Sequence, residues 1–254
     1  MDRAMWVWDT ANPRAVVALA TSRGIRHLYA AVPPRVDRSA QLATLRELAA
    51  LAGATGLRLD ALGGDPGWLD DPAAVVAEWL HPALATGLFD GVHLDIEPWT
   101  TPAWATDRER LVRRYLSTLD AVRAAAIGVP VEVDVPFWFD QVRVGGSTLD
   151  HEVLRRTDAV TVLAYRNRAL GPDGTIALAS AAVEAGVELG RPVRIGQETN
   201  SLGPDPSAAK QTFHGMTLGQ LEAQLALVQD AFAGAPAFAG LAIHDARGYA
   251  AITD

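Results

Sequence analysis

Eight strand-like apolar segments alternate with helical patterns along the 254 residues of the chain, and few folds accept that many repeats. The segments are Met5 to Asp9, Ile25 to Val32, Leu57 to Leu62, Phe89 to Pro98, Val131 to Trp138, Ala159 to Tyr165, Pro192 to Glu198 and Phe238 to Asp245. Helical patterns lie between them, near 12–23, 39–52, 71–86, 106–126, 148–156, 175–189 and 216–232. Pro13 and Asp71-Pro72 suit first helical turns, because proline gives up only an N–H that a helix start leaves free. Pro33-Pro34 and Pro98 stop strands, having no N–H for the ladder. The pattern predicts one α/β domain over residues 1–254, a (β/α)8 TIM barrel with a short or missing last helix. A doubly wound open sheet is the alternative, but no glycine fingerprint follows an early strand. The polar stretch from Asn200 to Phe213 reads as a lid or rim.

In such a barrel, chemistry belongs at the C-terminal ends of the strands, so the last residues of each strand are the test. They are Trp8-Asp9, then Asp60 running on to Asp65, then Asp95, Glu97 and Trp99, then Asp134 and Trp138, then Tyr165-Arg166-Asn167, then Glu198-Thr199-Asn200, then His244-Asp245. Polar groups gather at one end of nearly every strand while the starts are mostly apolar. The fourth segment is the richest. It sets His93, Asp95 and Glu97 at every second position, hence on one face of a strand, and Val92, Leu94 and Ile96 on the other. Three ionisable groups pointing into one interior need a reason, since burying charge is costly. A hydrogen-bonded structural cluster is one reason, and a catalytic row at the mouth is the other. Trp8, Trp99, Trp138 and Tyr165 add aromatic faces that stack on sugar rings, while carboxylates bond to hydroxyls. Trp79 and Trp104 fall in helical patterns and read as packing residues.

Asp90-Gly91-Val92-His93-Leu94-Asp95-Ile96-Glu97 resembles the strand-four motif D-G-x-D-x-D-x-E of glycoside hydrolase family 18, the chitinase-like barrels. Asp90, Asp95 and Glu97 match the motif, and His93 replaces its second Asp. Tyr165 is similarly placed to the Tyr of the family's M-x-Y-D, with Arg166 where the Asp would be. The resemblance is specific over about ten residues. It implies that Glu97 is the general acid. It implies that Asp95 orients an N-acetyl group whose carbonyl is the internal nucleophile, with Tyr165 helping to hold it. A carboxylate two residues along the strand fits an acid that must keep its proton near neutrality. His93 and Asp90 would then support the row from below. The expected substrate contacts are Trp8, Asp60, Trp99, Asp134, Trp138, Arg166, Glu198, Asn200, His244 and Asp245. Arg166 would meet an anionic substrate group or pair with Glu198. His93 and Arg166 depart from the family's motifs, and with Asp60, Asp134 and Glu198 expected nearby a two-carboxylate mechanism is the alternative to substrate assistance.

The net charge of −8 and pI near 5.2 argue against nucleic acid or an anionic membrane as the partner. There is no cysteine, and the only lysine, Lys210, sits in a polar loop, so thiol and Schiff-base chemistry are set aside. No apolar run approaches the ~18 residues of a membrane span. The first residues have no signal-peptide pattern, so a cytoplasmic location is expected. A metal held by His93, Asp95, Glu97, Asp134, Glu198 and His244 is a rival, but H-E-x-x-H is missing, and the reading requires neither metal nor cofactor. The expected partner is a small molecule or oligosaccharide. The expected function is glycosidic-bond cleavage or transfer. The alternatives are an isomerase, lyase or cyclase using the same carboxylates, or a carbohydrate-binding barrel without turnover.

Overall fold

The computed structural model describes residues 2–254. Its strands are β1 (Arg3–Val7), β2 (His27–Ala31), β3 (Arg58–Gly63), β4 (Gly91–Leu94), β5 (Val131–Pro136), β6 (Arg143–Val144), β7 (Ser147–Thr148), β8 (Ala159–Leu163), β9 (Val193–Glu198) and β10 (Phe238–His244). All but β6 and β7 pair in parallel, in the order β1-β2-β3-β4-β5-β8-β9-β10, and β10 closes on β1. This is the expected eight-stranded barrel. The strands β6 and β7 form a small antiparallel hairpin above β5 that the sequence pattern did not reveal.

Side-chain alternation sorts the interior from the wall. Met5, Val7, Leu59, Ala61, Val92, Leu94 and Ile96 face outward into the apolar layer under the helices. Ala4, Trp6, Tyr29, Leu62 and Ala242 form a separate cluster inside the barrel. The helices start where the sequence places caps. Asn12 accepts from the Ala15 N–H, Asp71 from the Ala74 N–H, and Thr217 and Gln220 form a capping box.

Two expected helices are interrupted. The stretch 71–86 passes from Pro72–Val75 through a π-turn, Val76–Leu80, to His81–Ala85. Pro82 has no N–H to offer the Glu78 carbonyl, which instead accepts from the Arg35 N–H at 2.7 Å. The stretch 106–126 splits at Asp107, whose φ of −149° is extended, into Ala103–Thr106 and Arg108–Ala125. The last helix is short, Ala246–Ala251, with Asp245 as its cap. The 200–213 stretch carries one helical turn, Pro206–Ala209, and is tied down by Lys210 to Asp173 at 2.7 Å and by Asn167 to the Ala209 carbonyl at 2.8 Å. Among the described residues no helix is long and apolar enough to cross a membrane.

Candidate active site

The ladder of β4 ends at Leu94, four residues sooner than the sequence suggests, so Asp95 and Glu97 stand above it at the mouth. Asp95 is held by its N–H to the Gly63 carbonyl at 3.0 Å. Gly64 packs so closely on the Asp95 carbonyl that any side chain there would collide. The Gly63-Gly64 pair is thus the seat of Asp95.

Directly below sits a buried polar column. The Asp134 Oδ2 accepts from Trp6 Nε1 at 3.1 Å and meets His93 Nε2 at 2.9 Å. The His93 ring stacks on Tyr29, with centroids 3.6 Å apart. Asp95 Oδ1 and Asp134 Oδ1 are buried without another partner, and the two carboxyls are hydrogen-bond neighbours. Two buried carboxyls side by side disfavour ionising both. Burial first, then the Asp134 charge, lifts Asp95 to about 7, and burial also pushes Asp134 well up. His93 is completely buried, and burial lowers its proton affinity.

Glu97 is half-buried at the rim, and burial followed by the Asp95 charge raises it to about 7. The Tyr165 phenol is raised as well, by burial and then by Asp134, Glu198, Asp95 and Glu97. Tyr165 thus lies in the field of the same carboxyls as Glu97 and Asp95.

The other side of the mouth is built from β9 and β10. His244 Nδ1 lies 2.8 Å from Glu198 Oε2. Glu198 Oε1 accepts from the N–H groups of Thr199 and Asn200 at 2.8 and 2.7 Å and from the Asn200 amide at 3.0 Å. The Asn200 amide also reaches Asp245 Oδ1 at 3.1 Å, and that oxygen caps Gly248 N at 3.0 Å. Trp8 Nε1 lies 2.9 Å from His244 Nε2. On the β4–β5 side Trp99 and Trp138 meet edge to face at 5.9 Å. Trp104 continues the row at 5.6 Å from Trp138, with the Arg108 guanidinium over its ring. Trp104 packs against the buried core, stacked on Phe139 at 6.1 Å, as expected of a helix packing residue. Trp79 is core, buried with its Nε1 on the Val32 carbonyl.

Several expected contacts are corrected by this geometry. Asp60 lies at the opposite end of the barrel, buried against His27 at 2.9 Å and Arg58 at 3.0 Å, because its register partner is Gly91, the first residue of β4. Asp90 is at that same end, where its Oδ2 accepts from the Leu59 N–H at 2.9 Å, so it joins β3 to the chain before β4 and supports nothing at the mouth. Asp134 is too deep to touch a ligand and serves Asp95. Glu198, Asn200 and Asp245 spend their polar atoms on one another, on backbone N–H groups and on His244. Arg166 pairs with Asp173 at 2.7 Å, not with Glu198, and leans over the Phe137 ring. Trp6, the indole under Asp134, was missed, although its spacing of two from Trp8 puts both on the inner face of β1. Among the described residues no set of three or more His, Asp or Glu is grouped to hold a metal ion.

Solved structures place this architecture. The chain is similar to a β-1,4-mannanase of GH113, at 13% identity and TM-score 0.63, covering 98% of this chain and 89% of that one. It is similar to a class V chitinase mutant from Cycas revoluta, solved with (GlcNAc)3, at 14% identity and TM-score 0.61, covering 98% and 96%. It is also similar to the spore cortex-lytic enzyme SleL of Bacillus megaterium QM B1551, at 11% identity and TM-score 0.59, covering 98% and 72%. At these identities the likeness shows the shared TIM-barrel fold. No family model and no curated protein sequence matches the chain.

Proposed function

We propose that the chain is a glycoside hydrolase, cleaving or transferring a glycosidic bond of an oligosaccharide at the C-terminal mouth of the barrel. The observation that carries this reading is the Glu97–Asp95 pair, a half-buried carboxyl raised to about 7 at an open rim, beside a second one raised by burial and by Asp134. Glu97 gives its proton to the leaving oxygen as the bond opens, which needs an acid still protonated near neutral pH. Asp95 and the Tyr165 hydroxyl face the developing charge on the sugar. Trp99 and Trp138 offer ring faces to neighbouring sugar units. The fold shared with a mannanase, a chitinase and a cortex-lytic enzyme supports the same class of substrate.

Among the carboxylates that the sequence puts at strand ends, Asp60, Asp134, Glu198 and Asp245 are each engaged elsewhere. Of these carboxylates none is left free opposite Glu97 to act as nucleophile. The test is Glu97→Gln, assayed on chito-oligosaccharides and on β-1,4-manno-oligosaccharides. Turnover is expected to fall by roughly 10²–10⁴ with the fold kept, as read by circular dichroism. Undiminished turnover in the variant removes Glu97 from the chemistry.

A further inference from the structure

We propose that His244 is a second proton-transfer group of this mouth. Its Nε2 takes the proton of the water or acceptor hydroxyl that attacks the sugar carbon, while Glu97 protonates the leaving oxygen. The inference rests on the glycoside-hydrolase reading and supplies the partner that the carboxylates do not.

It begins from a count of donors. An indole N–H can only donate, so Trp8 Nε1, 2.9 Å away, makes His244 Nε2 the acceptor and puts the imidazole proton on Nδ1. That proton is directed at Glu198 Oε2, 2.8 Å away. Glu198 cannot turn, because its other oxygen is held by two backbone N–H groups and the Asn200 amide. A carboxylate thus fixes the tautomer and orientation of an imidazole whose free lone pair points away from it, the arrangement that activates hydroxyls and water in relay sites. His244 also lies among the reacting groups, with its ring 6.2 Å from that of Tyr165 and its charge felt by both Asp95 and Glu97.

Trp8 explains how the base is held ready. The indole is 38% exposed. Beside it lies an open pocket of about 220 Å³ bordered by Ala11, Ala15, Val16 and Leu19, with Asn12 and Arg247 at its edge, into which a displaced ring can move. While Trp8 is in place, its N–H occupies the Nε2 lone pair and favours neutral imidazole. His244 faces Glu198 on β9, Asp245 beside it, Asp95 and Glu97 beyond β4, and Asp134 on β5, with Tyr165 the uncharged neighbour. Burial favours the neutral ring, but Glu198, Asp245 and Asp95 outweigh it and raise the proton affinity of His244 even with Trp8 in place. Displacing Trp8 with a sugar frees the Nε2 lone pair of this base for the nucleophile.

The step balances. The nucleophile's oxygen bonds to the anomeric carbon as the bond to the leaving oxygen breaks. The nucleophile's proton goes to Nε2, and the proton of Glu97 goes to the leaving oxygen. Imidazolium and carboxylate then return to their starting forms by proton exchange with solvent. A single displacement of this kind inverts the anomeric centre.

Two measurements decide the matter. Imidazole ¹⁵N NMR, with His244→Asn for assignment, is expected to show the Nδ1–H tautomer, and Trp8→Phe, which keeps a ring without the N–H, is expected to raise the His244 pKa. Anomeric ¹H NMR during hydrolysis of a chito-oligosaccharide or a manno-oligosaccharide is expected to show inversion. His244→Asn is expected to lower kcat by roughly 10²-fold with little change in KM, and to lose the acidic limb of the pH profile. An Nε2–H tautomer, or an unmoved pKa in Trp8→Phe, overturns the proposal. Turnover with retained configuration also overturns it, pointing to a nucleophile supplied by the substrate and leaving the glycoside-hydrolase reading intact. No turnover by the wild type on either probe defeats that reading, and the role of His244 with it.

Discussion

The two ends of the barrel interior are both crowded with buried ionisable groups, yet they are wired in opposite ways. At the floor every anion meets a cation or a donor. Asp60 is held by His27 and Arg58. Glu132 accepts from the Tyr29 and Thr161 hydroxyls at 2.9 and 2.6 Å and lies 3.5 Å from Arg194 Nε, while Arg194 also pairs with Asp2 at 2.8 Å. Burial alone would raise Glu132, but Arg194, His93 and His27 bring it down to about 2. At the mouth, carboxyl faces carboxyl. Among the described residues no arginine or lysine pairs with Asp95, Asp134 or Glu97, and all three are raised. A polar interior is therefore not by itself a site. The mark of one is a charge left uncompensated, and the open rim beside Glu97 is where a ligand can answer it.

The largest effect should come from breaking the balance at the floor. Glu132→Gln leaves the buried Arg194 guanidinium with Asp2 as its one acidic partner, and removing half of a buried ion pair costs about 3–5 kcal/mol. Because the folded-state pKa of Glu132 is depressed to about 2, its contribution is complete above the ordinary carboxylate range near 4.5 and is lost as pH falls through about 2. Urea denaturation should thus show the full penalty at pH 7 and a shrinking one toward pH 2. A variant as stable as the wild type at pH 7 would mean that the floor is not the closed, compensated network described.

How much of this contrast was legible in the sequence depends on the physics involved. The barrel was, because period-two segments, proline stops and caps are local properties, as Asn12-Pro13 and Asp71-Pro72 illustrate. The row His93, Asp95, Glu97 was legible for the same reason, since parity puts all three on the inner face. Height along the barrel was not. Asp60 and Asp134 have the same inward parity, but the register that places Asp60 opposite Gly91 and Asp134 opposite Thr161 is fixed by pairing between strands distant in sequence. The partners of Glu198 were equally hidden, because the Asn200 amide and His244 reach it from across a loop and a strand. A motif match carried Asp90 into the candidate site, although its side chain serves a peptide N–H at the floor.

A smaller effect of opposite sign is expected at the mouth. A carboxyl raised from 4.5 to about 7 makes the folded state hold a proton that the unfolded chain has released, so stability falls as pH rises through that window. Glu97→Gln removes the penalty without emptying the site. The variant should match the wild type below pH 4.5 and exceed it at pH 8 by about 2 kcal/mol, after discounting for the solvent exposure of Glu97. Chemical denaturation at the two pH values measures the difference. A variant no more stable than the wild type at pH 8 would mean that Glu97 is an ordinary surface carboxylate, and the contrast between mouth and floor would lose its central member.

The smallest effect separates the motif from the site. Asp90 stands at the floor with one side-chain bond, to the Leu59 N–H at 2.9 Å, that together with its own N–H on the Leu59 carbonyl fastens β3 to the turn entering β4. Asp90→Ala gives up that bond at a partly buried backbone donor and should cost about 1 kcal/mol, read as a small drop in the urea midpoint. The pH–rate profile on whichever glycoside is turned over should be unchanged, because Glu97, Asp95 and His244 keep all their partners. If the profile shifts, Asp90 communicates with the mouth through β4, and the division of the barrel into a compensated floor and an uncompensated mouth has to be redrawn one residue wider.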